Sequence, residues 1–215
     1  MEQDIVARTD GSAHDRAVVQ WASQEATARG LPLRVIHGPL TVVPDTAQLV
    51  VAGAHAQDAL AYSACPVVLI TGRPGTRRST EIVLGVDARE PAQGAIDFAF
   101  VTARLRGVLL HAVHAWRLPS CAAELPFGVP EEDRGGWEDD EVQLLSDVLR
   151  PWREKYPEVP VLEDVRLLTP ARALVQRSAS AGLLVVGREP GADEPGPVTR
   201  VLLRESRCPV AVVPS

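Results

Sequence analysis

Ile5-Val6-Ala7-Arg8-Thr9-Asp10 and Ile82-Val83-Leu84-Gly85-Val86-Asp87 are the same short apolar run closed by an aspartate, 77 residues apart. An internal repeat of this kind decides how the rest of the chain is read. The same offset carries Gly30 onto Gly107 and His37 onto His114. Further on, Leu49-Val50-Val51-Ala52-Gly53 resembles Leu183-Leu184-Val185-Val186-Gly187 at an offset of 134, and Cys65-Pro66-Val67-Val68 resembles Cys208-Pro209-Val210-Ala211 at 143. The growth of the offset makes the first copy 57 residues shorter between its second and third matched blocks, and 9 shorter again before Cys-Pro. The copies span 1–71 and 81–215. Residues 72–80, beginning Gly-Arg-Pro-Gly-Thr-Arg-Arg-Ser, read as a linker of turn formers and solvated charge.

The second copy alternates strand and helix. Glu81–Val86, Val108–Val113, Val161–Leu167, Leu183–Val186 and Val210–Val213 are short apolar runs of the kind buried in parallel sheets. Between them, Pro91 opens a helix with Ile96, Ala99 and Ala103 on one face. Ala115–Gly136 reads as a long loop. Val142, Leu145, Leu149, Trp152 and Tyr156 form a helical stripe that Pro151 should kink or split. Ala171–Ser180 and Val198–Arg204 are the remaining helices. The first copy keeps strands at Asp4–Arg8, Leu33–His37, Leu49–Ala52 and Val67–Ile70, with a helix from a Ser12 cap to Arg29 and a short one at Gln57–Tyr62. A β-α-β-α order implies α/β architecture: a mainly parallel, doubly wound sheet with helices on both faces.

Composition narrows the chemistry. The 215 residues are 46% hydrophobic and 23% charged, enough to bury a core without disulfides or metals. A net charge of −6 argues against nucleic acid as a partner. Lys155 is the only lysine, and no G-x-x-x-x-G-K-[ST] loop exists. Cys65, Cys121 and Cys208 make no C-x-x-C pair and read as reduced thiols. The acidic start is unlike a signal peptide, and no apolar run nears the ~20 residues that span a bilayer. A soluble, cytoplasmic protein without membrane contact is the expectation. His111 and His114 lie three apart on a strand, face opposite sides and read as packing residues rather than metal ligands. The acids Glu131, Glu132, Asp133, Glu138, Asp139, Asp140 and Glu141 read as a solvated helix start.

Five blocks in order, twice, resemble the universal stress protein family in its tandem form, with a truncated first copy. The blocks are Ile5–Ser12 with Leu33–His37, and Ile82–Asp87, Leu109–Val113, Leu184–Gly187 and Cys208–Val213. The resemblance implies two Rossmann-like domains with sheet order 3-2-1-4-5 in the second and strand 3 missing from the first. Losing an edge strand leaves 2-1-4-5 contiguous, with Gly38–Gln48 as a short crossover. It also implies that Val67–Ile70 and Val210–Val213 meet, making an intramolecular pseudo-dimer. A homodimer or an unidentified protein partner is left open.

Many members of the family bind ATP where the strand order switches. An aspartate after strand one holds the nucleoside, and a G-x2-G-x9-G-[ST] loop after strand four holds the phosphates. On that pattern the nucleotide-binding candidates are Asp87, Ala112, Gly187, Gly196, Val198 and Thr199. The loop departs from the pattern. Gly187 and Gly196 are nine apart where the motif needs thirteen, Pro190 replaces the middle glycine and Pro197 the hydroxyl. Asp193 and Glu194 would repel phosphate, offset in part by Arg188 and Arg200. In the first copy Asp10-Gly11-Ser12 keeps the nucleoside side, and Ala-His-Ala-Gln-Asp replaces the loop. No general base, metal site or catalytic lysine is visible. The expected function is a non-catalytic regulatory or scaffold protein with a degenerate adenine-nucleotide site, needing no cofactor and binding ATP or AMP weakly. An ATP or AMP sensor working through the second copy is the alternative, and a weak nucleotide phosphohydrolase a distant third.

Overall fold

A computed structural model describes residues 3–38, 43–44, 46–61, 63–71, 81–118, 130–188 and 194–214. The elements run β1 (Asp4–Thr9), α1 (Asp15–Arg29), β2 (Leu33–His37), β3 (Ala47–Gly53), α2 (Asp58–Ala61), β4 (Val67–Ile70) and β5 (Glu81–Val86). They continue as α3 (Gln93–Arg106), β6 (Leu109–Trp116), α4 (Glu131–Lys155), β7 (Val161–Leu167), α5 (Pro170–Arg177), β8 (Leu183–Arg188), α6 (Pro197–Glu205) and β9 (Val210–Pro214).

The strands form one nine-stranded sheet in the order β2-β1-β3-β4-β9-β8-β5-β6-β7. All neighbours are parallel except β4 and β9, which join antiparallel with Val68 opposite Ala211. Apolar runs need this arrangement because helices cover both faces. On one face α1, α3 and α4 bury Val18, Ala22, Ile96, Phe100, Leu145 and Leu149. On the other, α2, α5 and α6 bury Leu60, Leu174 and Leu202.

Registers repeat with the sequence. Ile5↔Leu33 through Thr9↔His37 in β1/β2 become Ile82↔Leu110 through Val86↔His114 in β5/β6, both members shifted by 77. Ile5↔Leu49 becomes Ile82↔Leu183, and Val50↔Val67 becomes Leu184↔Val210. Both α1 and α3 end on a left-handed glycine, Gly30 at φ 66° and Gly107 at φ 60°, a conformation that costs a glycine nothing in steric clash.

Contacts between α1 and α3 follow the same exchange. Arg106 donates to Glu25 at 2.7 Å and lies over the ring of Trp21. Arg29 donates to Thr102 at 3.0 Å and lies over the ring of Phe98. Trp21, Glu25 and Arg29 are Phe98, Thr102 and Arg106 displaced by 77.

Several local expectations are corrected. Helix α1 begins at Asp15, without a Ser12 side-chain cap. The Asp15 carboxylate accepts the N–H groups of Asp10 at 3.1 Å and Gly11 at 2.8 Å, and the Ser12 hydroxyl accepts the N–H of His14 at 3.3 Å, so acid and serine together tie the turn to the helix. The segment read as a loop through Gly136 contributes the end of β6 and the first turns of α4, where Glu131 and Asp133 favour the positive end of the helix dipole. Pro151 does not split α4, which runs on to Lys155. Its ring lies on the exposed face, so the buried stripe is undisturbed. Within that stripe Glu141 is buried and Val142 is 44% exposed, the reverse of what hydrophobicity alone suggests. The proposed linker at 72–80, Cys121, and most of the crossover after Gly38 lie outside the described residues.

Candidate functional site

At the carboxyl ends of β5 and β8 the chain leaves β5 toward β6 on one side and pairs with β8 on the other. Connections diverge at such a switch point and leave a crevice. A cavity of about 470 Å³ opens there, within the range of small-ligand clefts. Gly85, Val86 and Asp87 line one wall, Val186, Gly187 and Arg188 the other, and Glu194 through Arg200 the rim. Gly85 lets the Leu174 side chain pack against the wall, since a Cβ there would sit 2.8 Å from Leu174 Cδ1 and displace it.

Of the residues singled out from sequence, Asp87, Gly187, Gly196, Val198 and Thr199 line this one cavity. Ala112 does not. It is fully buried in the core under α3 and α4. Side chains alternate along a strand, so Val113 and Ala115 reach the cavity and Ala112 faces away. Pro190 and Asp193 lie outside the described residues.

The Asp87 end is pre-shaped. Asp87 Oδ1 accepts the N–H of Arg89 at 3.0 Å, an Asx turn that fixes the carboxylate at the mouth. Beneath it His114 is clamped between the Val86 carbonyl, 3.1 Å from Nδ1, and Glu141 Oε2, 2.9 Å from Nε2. Arg89 donates to the other oxygen of Glu141. This Arg89–Glu141–His114 chain anchors α4 to the turn, and it was missed because an acid within a run of acids reads as solvated. His114 lines no part of the cavity, and His111 packs on the opposite face between Glu81 at 3.4 Å and Asp164 at 3.0 Å.

The opposite end is described from Glu194 onward. Gly196 is the N-cap of α6 and Pro197 its first residue, which has no N–H to offer. Arg200 donates to the Pro195 carbonyl at 2.7 Å and lies 3.5 Å from Glu194. Arg188 donates to the carbonyls of Leu60 and, at 2.6 Å, Ser63 in the other half of the sheet. Both arginines expected to balance the loop's acids are thus engaged in holding backbone.

At the equivalent place in the first half the aspartate is engaged by a histidine that is half exposed. Asp10 makes the same Asx turn, its Oδ1 accepting Ser12 N–H at 3.0 Å, and His55 hydrogen-bonds its Oδ2. His55, together with Ser12, holds the Asp10 carboxyl well below the usual carboxylate range. The imidazole also lies over Gly53, where a Cβ would be 2.6 Å from His55 Cε1. Only the histidine within Ala-His-Ala-Gln-Asp hinted at this in the sequence.

No group of three or more metal-ligating side chains occurs among the described residues. No described helix is long and apolar enough to cross a membrane.

Residues 79–214, well over half the chain, match the sequence profile of the universal stress protein family. The chain belongs to that family. Universal stress proteins of Mycobacterium tuberculosis and Mycobacterium bovis are each 33% identical to it over 190 residues, covering 79% of this chain. A universal stress protein of Mycolicibacterium smegmatis is 29% identical over 194 residues, covering 86% of the chain. The matches span 63% of the length of each of these relatives. A crystal structure of a universal stress protein from Archaeoglobus fulgidus shares the fold, with a TM-score of 0.60 at 14% identity, covering 98% of this chain and 96% of that one.

Proposed function

We propose that this universal stress protein acts by binding rather than catalysis, as a regulatory or scaffold module whose second half retains a weakened adenine-nucleotide site. The observation that carries the reading is the asymmetry of the cavity. Its Asp87 end is shaped and braced, whereas among the described residues its α6 end sets Pro197, two committed arginines and the Glu194 carboxylate beside Gly196, Val198 and Thr199. Each charge-assisted hydrogen bond denied to a phosphate is worth roughly 1.5–3 kcal/mol. Two such losses weaken ATP by more than about a hundredfold. Adenosine and AMP ask less of that end and lose less.

The matching registers and the exchanged α1–α3 contacts support a further part of the reading: 1–71 and 81–215 are two copies of one universal-stress-type domain. The first lacks the unit's third strand and sets His55 against its aspartate, and the two are joined as a pseudo-dimer through β4 and β9. On this reading Asp87, Gly187, Gly196, Val198 and Thr199 contact ligand and no metal or obligatory cofactor takes part. The chain works in the cytoplasm.

Titration calorimetry with ATP, AMP and adenosine tests the proposal. The expected result is no low-micromolar ATP binding, with AMP or adenosine bound at least as well as ATP and weakened by Asp87→Ala. Low-micromolar ATP binding abolished by Asp87→Ala would instead make the protein a nucleotide sensor. Phosphate release that survives purification to constant specific activity would overturn the non-catalytic reading.

A further inference from the structure

We propose that the outer edge of β2 docks an extended, acid-bearing segment of a partner protein, which adds to the sheet as a parallel strand. The second half of the molecule shows what such an edge takes. Strand β6 stands to β5 as β2 stands to β1, in the same register, but β6 goes on to pair with β7 whereas among the described residues β2 ends the sheet.

In that complete half a buried imidazole, His111, lies between a carboxylate on each neighbouring strand, Glu81 on β5 and Asp164 on β7. Shifting by 77 places Arg34 at His111 and Asp4 at Glu81. Arg34 Nε lies 2.7 Å from Asp4 Oδ2, repeating the inner pair. The outer carboxylate has no counterpart among the described residues, and the Arg34 side chain is 52% exposed. Beside it Val35 is 40% exposed, where its counterpart Ala112 is fully buried. Arg34 therefore asks for a carboxylate from whatever strand lies alongside, while Val35 leaves an apolar position at the edge for a side chain of that strand to cover.

The occupant is a strand without a helix behind it. Helix α4 seats on the second half because Phe100 stacks with its Trp152 and with Tyr156. The residue at that place on α1 is Ser23, which is exposed and offers no apolar seat. A second copy fits poorly. Two β2 edges joined together bring Arg34 toward Arg34 with no added acid. The acids of β7 are already paired within their own chain, Glu163 with Arg153 and Asp164 with Arg166 and Arg177. Main-chain hydrogen bonds would supply affinity in such an edge addition and Arg34 its selectivity.

The inference rests on the correspondence of the two halves and is independent of nucleotide binding. The probe is the synthetic heptapeptide Val-Leu-Glu-Asp-Val-Arg-Leu, the sequence of 161–167, titrated into the intact protein and followed by amide chemical shifts. Saturable binding is expected, with shifts concentrated on Leu33–His37. Arg34→Glu should weaken it up to about fivefold, the upper end for one exposed ion pair, and a peptide carrying Lys in place of Asp should recover binding to that variant. No binding at millimolar peptide, equal binding to Arg34→Glu, or shifts elsewhere on the sheet would overturn the proposal. So would a concentration-dependent dimer lost on Arg34→Glu, which would make a second copy the occupant.

Discussion

Glu25 is 2% exposed and serves two arginines from different helices, Arg29 at 2.7 Å and Arg106 at 2.7 Å. Burial alone would raise its pKa, but the Arg106 and Arg29 guanidiniums win and hold it below the ordinary value. A carboxyl whose folded pKa is depressed contributes stability above its unfolded pKa, near 4.3, and loses it as pH falls through the folded value. We expect Glu25→Gln to cost about 3 kcal/mol at neutral pH, the low end for breaking a buried pair because Arg106 keeps a quarter of its surface. Urea titrations should show the gap between variant and wild type closing below about pH 4. A gap unchanged at pH 3 would mean the pairing contributes nothing electrostatic. Burial likewise pushes the Cys208 thiol up to about 11 despite its contact with Ser206. Maleimide labelling of the native protein at pH 8, mapped by mass spectrometry, should leave Cys208 unmodified until denaturant is added. At this scale the sequence was legible where two copies repeat a residue, as in the aspartates that close β1 and β5, Asp10 and Asp87. It was illegible where the partner is distant, as for Glu141 with His114, or Arg188 with Ser63.

Among the elements, α2 has only four residues and depends on others for its position. Arg188 reaches from β8 to the carbonyls at its end. Arg188→Met should cost roughly 1.5–3 kcal/mol, the range for hydrogen bonds to a charged group. Amide exchange at 58–63 should rise more than exchange in α1. Equal acceleration of both would show a global rather than local role. At the β4–β9 junction, where Leu69 faces Val210, Val210→Asp buries an unpaired charge. It should lower thermal stability by several kcal/mol and admit protease between the halves. Wild-type stability in that variant would place the joint elsewhere. Strand existence was readable because buried parallel strands are unbroken apolar runs. The neighbours of each strand were not readable from spacing, and the meeting of Val67–Ile70 with Val210–Val213 came from family resemblance alone. Pro151 and the loop reading of Ala115–Gly136 misled because helix propensity is a local quantity, whereas the stripe from Glu141 to Tyr156 docks on β6 and β7.

Over the whole molecule, one sheet and one continuous core on the α1/α3/α4 face carry residues of both halves, from Ile5 and Val18 to Leu149 and Val213. Unfolding should therefore be a single transition. Trp21 on α1 and Trp152 on α4 are both packed against that core. Variants keeping one or the other as their fluorescent reporter should give the same urea midpoint after correction for the substitutions. Two separated midpoints would make the halves independent folding units.

The contact between α1 and α3 has one more consequence. In an assembly of two identical chains every substitution is made twice, so a glutamate beside the axis brings a second glutamate with it. Here the place of Glu25 is taken in the other half by Thr102, and a single carboxylate receives both Arg29 and Arg106. Linkage in one polypeptide releases each half from having to mirror the other. One side can set His55 against its aspartate while the other leaves Asp87 on an open cavity, a division of labour that genetic identity forbids to a homodimer.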